Sequence, residues 1–338
     1  MEEAQGDHMA ERAHPRPKIY PPPEFPPRRP GRFDRVPPAV FPAILGLLGL
    51  GLALRRGLDA AGLPIGLADL LLGAAAVLWA YAVFAYGVKL ARRPSVILDD
   101  LKTLPGRTGL AAATVGGMAL AAAVAPFSVP LGKGVLVAAL VAHGLVMLVT
   151  VRALFALPPE GRDVNPGWHL TFIGYIVGGL AAVEIGWSAL ALALVWWTVV
   201  VAGAIWGVSL VQLFRRIPPA PLRPMLAIHL APMSFIATIL ALLGMEGPAQ
   251  VALALAAGIF VALLAAGRWI TESGFTAMWA AFTFPLSAFA GALFASGWDL
   301  AGMGVLVVAL GVIPPIAYRV ITLWGSGRLA AVTNAAEV

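Results

Sequence analysis

Few side chains in this sequence combine a reactive type with an unusual setting. His143 stands inside the apolar run 134–154, and His229 inside the run 224–244. Histidine changes charge between pH 5 and 8, so each could couple a proton or contact an anion. Each could equally be neutral and hydrogen-bonded to a neighbouring helix. Thr283 is a further polar group in an apolar run, while His169 is expected at an interface and His8 and His14 in a polar tail. Proline and glycine are the second unusual feature: Pro42, Pro232, Pro285, Gly116 and Gly178 all lie in apolar runs. A proline there removes an N–H and frees the carbonyl four residues back, which is Ile228 for Pro232 and Ala281 for Pro285. Such positions are expected to kink helices, and the half-helices that follow present N-terminal partial positive charge.

Other chemistry is excluded. With no cysteine there is no disulfide, thiol catalysis, Fe–S cluster or Cys-type zinc site. No His pair falls at metal-binding helical spacing, and Asp69, Glu184, Glu246 and Asp299 stand only at the edges of apolar runs. No metal, cofactor or enzymatic reaction is expected.

The elements that must position these residues are membrane spans. Of 338 residues 60% are apolar and 12% charged, about half the charge share of a soluble domain. Uncharged runs of about 20 residues match the thickness of a hydrocarbon core. Ten are expected, at 38–54, 67–91, 108–127, 134–154, 167–184, 187–213, 224–244, 248–267, 274–296 and 301–324. The division between the fifth and sixth rests on Glu184, Gly186 and Trp187 alone; the alternative is nine spans with one long buried helix. Short connections make five helical hairpins, an all-α integral membrane protein over 37–326. Residues 1–36, rich in Pro and Arg, are expected to be a disordered cytoplasmic tail, and 327–338 a second cytoplasmic tail. With the N-terminus inside, 20 basic residues fall on the inner side and three, Arg55, Arg56 and Lys133, outside. That bias follows the positive-inside rule and puts both termini in the cytoplasm. It also accounts for the net charge of +6 without nucleic acid as a partner.

Three segments resemble the tellurite-resistance/dicarboxylate transporter family, which includes the plant guard-cell slow anion channels. They are VPPAVFPAILG from Val36 to Gly46, LRPMLAIHLAP from Leu222 to Pro232, and WAAFTFP from Trp279 to Pro285. The resemblance implies ten helices with the odd-numbered ones around a central pore, a homotrimer, and a phenylalanine before the ninth-helix proline, here Phe284, that occludes the pore. Two departures are visible: Pro42 replaces a first-helix motif glycine, and Thr171 stands where relatives have a fifth-helix proline.

Together these readings point to a passive or gated channel or uniporter for small inorganic or organic anions, in the bilayer of a bacterial inner membrane. An uncharged lumen binds anions weakly and so lets them pass. The alternatives are a proton-coupled dicarboxylate, tellurite or sulfite carrier that uses the intramembrane histidines, and, more remotely, a membrane-embedded enzyme or assembly protein.

Overall fold

The computed structural model describes Gly31 and residues 33–338, so most of the expected N-terminal tail lies outside the described residues. Among the described residues every regular element is helical. Nine helices are long and apolar enough to cross a membrane: α1 Pro38–Ala60, α2 Gly66–Arg92, α3 Leu104–Val124, α4 Val129–Ala156, α6 Ser188–Arg215, α7 Ala220–Leu242, α8 Glu246–Ala265, α9 Ala277–Ala295 and α10 Asp299–Gly325. Between α4 and α6 the apolar run forms two shorter helices, α5a Gly167–Ile173 and α5b Tyr175–Glu184. The expected division after Glu184 is present. Gly186 adopts φ +79°, which an L side chain rarely tolerates, and the Trp187 N–H donates back to the Ala182 carbonyl.

Burial sorts the helices into two layers. In the most apolar stretches of α1, α3, α7 and α9 the buried shares are 78%, 78%, 67% and 72%, against 22–39% in α2, α4, α6, α8 and α10. The composition explains the sorting. Inner helices carry Gly, Ala and Ser that let backbones approach, and outer helices turn Val, Leu and aromatic side chains outward toward lipid. The tightest approach is α1 on α9. A Cβ on Gly46 would stand 2.1 Å from Thr283 Oγ1, and one on Gly49 would stand 2.4 Å from Ser287 Oγ and 2.8 Å from the Phe284 ring.

Three inner helices change pitch. The first residues of α1 (Pro38–Val40), α7 (Ala220–His229) and α9 (Ala277–Phe282) are 3-10 helix, and the α-helical parts begin at Phe41, Leu230 and Thr283. Pro42, Pro232 and Pro285 therefore lie in the first turn of an α-helix, where a missing N–H leaves no intrahelical bond unmade. These prolines mark helix starts within the bundle and not kinks of continuous helices.

Neither expected glycine kink is present. Gly116 lies in unbroken α3 and makes room for Trp79 of α2, whose Nε1 donates to the Ala113 carbonyl at 2.8 Å. Gly178 lies in unbroken α5b, against Met118, Leu136 and Leu140. The interruption falls at Gly174, where a Cβ would meet the Leu170 carbonyl oxygen at 2.4 Å and Val115 at 2.5 Å.

The ends of the chain are held by a buried polar cluster. Lys89 and Asp100, both 0% exposed, pair at 2.8 Å. Lys89 also donates to the Val36 carbonyl, and Asp100 accepts from the Tyr86 hydroxyl and the Ala336 N–H. The C-terminal segment forms the short helix Arg328–Val332 and docks beside the start of α1, where Glu337 pairs with Arg35.

Candidate functional site

All five inner elements surround one cavity of ≈ 60 Å³. Its lining includes Pro42 and Leu45 of α1, Pro105 and Thr108 of α3, His169 and Gly174 beside α5b, Ile228 and Pro232 of α7, and Ala281 and Pro285 of α9. The lining repeats one design. Pro42, Pro105, Pro232 and Pro285 each occupy the first turn of an α-helical stretch, and α5b restarts at the Gly174 break. Five α-helical stretches thus begin around one space; at three of them the preceding 3-10 turn takes up the first N–H, Phe41 donating to Pro38, Leu230 to Ala227 and Thr283 to Ala280. Ile228 and Ala281, whose carbonyls the sequence marks as freed, both line it. No Lys, Arg, Asp or Glu lines it.

Phe284 and Phe235 lie side by side in the lining of this cavity. Their rings stack with centroids 5.3 Å apart and planes at 26°. Both residues also line a second space of ≈ 20 Å³, with Gly49, Leu52, Arg56, Leu180 and Ser287. Leu52, Arg56 and Leu180 in turn line a vestibule of ≈ 280 Å³, with Arg55, Asp59 and Glu184. Consecutive spaces thus share lining residues: Phe235 and Phe284 belong to the first and second, Leu52, Arg56 and Leu180 to the second and third.

A model of the voltage-dependent anion channel family matches residues 35–324. The chain belongs to that family. It is a multi-pass membrane protein, and its family, which includes the tellurite-resistance/dicarboxylate transporters, moves anions. A search of curated proteins returns no match.

For this member of the voltage-dependent anion channel family, the polar residues singled out in the sequence fall in different places. Phe284, 6% exposed, lines both the inner cavity and the second space, and Pro42, Pro232 and Pro285 line the inner cavity. Gly116 and Gly178 do not line it. The Thr283 hydroxyl donates to the Ala280 carbonyl at 2.7 Å and lies 3.3 Å from the Pro42 carbonyl, so it fastens α9 to α1 and does not line the cavity. His143 is away from the cavity; its Nδ1 pairs with the Thr114 hydroxyl at 2.7 Å and its ring meets Tyr175 edge-on. His169, expected at an interface, is 3% exposed, lines the cavity, and its Nε2 lies 2.8 Å from His229 Nδ1. Among the described residues no group of three His, Cys, Asp or Glu could hold a metal ion.

Sequence reasoning missed Phe235, the place of Arg56 beside Phe284 and the His169–His229 contact. For Phe235 a signal existed: it follows Pro232 by three residues, which puts both on one face of α7. The histidine contact joins residues 60 positions apart on different helices and had no local signal.

Proposed function

We propose that this protein is a gated anion channel, or a channel-like uniporter, with ten spans arranged as five hairpins. Its pore follows the three spaces along the odd-numbered helices. Phe284, stacked on Phe235, is the gate. The observation that carries this reading is the aromatic pair shared by two cavities, with no other side chain bridging them by ring stacking. A lumen without fixed charge binds an anion weakly enough to release it. Hydrophobic constrictions close by excluding water, and two stacked rings supply that barrier without charge. The reading includes cytoplasmic termini, an inner-membrane location and a homotrimer, in line with the 20-to-3 division of basic residues and the family. The test is flux of chloride and nitrate from liposomes holding purified protein, with potassium as the counter-probe. Anion flux without potassium flux is expected, and equal movement of both would overturn the assignment.

A second reading has one specific observation behind it. The His169–His229 pair at the cavity could carry one proton between two rings, as a proton-coupled carrier requires. If transport is passive, His229→Gln, His169→Gln and His143→Gln leave flux and its pH dependence unchanged. Loss of pH-gradient-driven uptake in the first two, with His143→Gln intact, would establish the carrier instead.

A further inference from the structure

Arg55 and Arg56 are adjacent in α1 and both line the vestibule, yet their bonding differs sharply. Arg55 is fully engaged. Its Nε and Nη2 donate to Asp69 Oδ1 at 2.9 and 2.7 Å, Nη1 and Nη2 donate to the Ala123 carbonyl at 3.1 Å, and its guanidinium lies over the Phe127 ring. Arg56 has only an ion pair with Glu184, at 3.6 Å. That is longer than an N–H···O hydrogen bond of about 2.7–3.2 Å. A guanidinium has five donors, and among the described residues those of Arg56 make no hydrogen bond. Arg56 is also the only charged residue lining the small cavity against Phe284, and it continues into the vestibule.

Resting on the gate reading above, we propose that Arg56 is an anion-binding residue on the vestibule side of the gate. A small anion, halide or planar oxyanion, takes the place of Glu184 as its counter-ion. A guanidinium fork matches two oxygens of an oxyanion side by side, and its charge suits a halide as well. The long pair to Glu184 leaves the donors available while it offsets the charge of an empty site. Arg55 cannot serve, because using its donors would break the contacts that join α1 to α2 and α3. The other charges facing this space are Asp59 and Glu184, so among the described residues Arg56 is the one cation there with donors to give. The inner cavity has no charged side chain in its lining. Arg56 adds a fixed positive charge at the one point where every anion crossing Phe284 must pass.

The test uses full-length Phe284→Ala protein in planar bilayers under a potassium chloride gradient, and again with nitrate, so that current is measurable. Adding Arg56→Gln is expected to lower anion conductance at least about fivefold and move the reversal potential toward zero, because one charge beside the ion is lost. Arg56→Lys should retain the chloride reversal potential but lose more nitrate than chloride conductance, since an ammonium lacks the fork. Glu184→Gln should raise anion conductance. Unchanged conductance and reversal potential in Arg56→Gln, with Phe284→Ala conducting, would overturn the Arg56 assignment and leave the gate intact. If Arg56→Gln does not fold, Glu184→Gln decides, and no gain there overturns the proposal. If Phe284→Ala conducts no more than wild type, the gate reading itself fails and the Arg56 site falls with it.

Discussion

Removing the Phe284 ring separates a plug from a packing residue. The ring is almost fully buried, stacks on Phe235 at 5.3 Å, and fits against Gly49, where a Cβ would come within 2.8 Å of it. As packing, a Phe→Ala change costs roughly 3–5 kcal/mol of folding stability. As a gate it acts on the closed state specifically. An aromatic pair is worth about 0.5–1.5 kcal/mol beyond burial, so losing the stack alone shifts a closed-to-open equilibrium by roughly 2- to 13-fold. Loss of the ring also joins the ≈ 60 Å³ and ≈ 20 Å³ spaces, which adds to that factor. Anion efflux from liposomes, followed with a halide-quenched dye, should be more than about tenfold faster for Phe284→Ala than for wild type, and intermediate for Phe284→Leu. Phe235→Ala should also accelerate efflux, and the double variant should gain less than the product of the two, because each removes the same stack. Phe282 is the control. It packs edge-on against Trp279 and lines neither cavity, so Phe282→Ala should leave efflux at the wild-type rate. Size-exclusion profiles and melting temperatures confirm that each variant is folded. A folded Phe284→Ala protein with wild-type efflux, or equal acceleration by Phe282→Ala, refutes the reasoning.

Further consequences follow from the packing. Lys89→Met leaves Asp100 charged and buried without its cation, and should cost roughly 3–5 kcal/mol in thermal or denaturant unfolding; Lys89→Met with Asp100→Leu should recover part of the loss. Gly46→Ala drives a methyl into Thr283 and should lower the melting temperature and yield, whereas Gly66→Ala, with nothing within 4 Å of its Cβ, should be neutral. Single cysteines in this cysteine-free chain test orientation: exposed Ser95→Cys should react with an impermeant reagent only from the cytoplasmic side, and Leu131→Cys, 55% exposed, only from the other.

The sequence carried the layout because apolar runs and charge clusters are local signals. The division at Glu184, Gly186 and Trp187 was readable for the same reason: a positive-φ glycine ends one helix and a tryptophan starts the next. Glycine roles were not readable. Gly116, Gly174 and Gly178 are the same residue type in similar runs, and only the neighbour across the interface tells them apart. Trp79 needs the room at Gly116, while the close Leu170 carbonyl marks the break at Gly174. The pairing of His169 was not readable, because its partner His229 comes from another helix. Arg56 was read as one of three outer charges. Nothing local distinguishes it from Arg55, since what differs is the partner each finds on other helices.

The prolines show how a local rule becomes a functional arrangement. A proline inside a continuous helix loses a hydrogen bond and bends the chain, and that is how Pro42, Pro232 and Pro285 read in isolation. Here the preceding residues wind as 3-10 helix or lie just ahead of the α-helix, so each proline meets an α-helix start and loses little. The consequence is positional. An ordinary span begins at the membrane surface, where water satisfies its free N–H groups. These α-helical stretches begin around a cavity beside Phe284, well inside the apolar bundle. A cation entering the cavity would find no carboxylate to compensate its charge, and an anion would find no fixed cation to trap it. On the channel reading proposed above, the apolar lining holds neither sign tightly and closure is left to the aromatic pair.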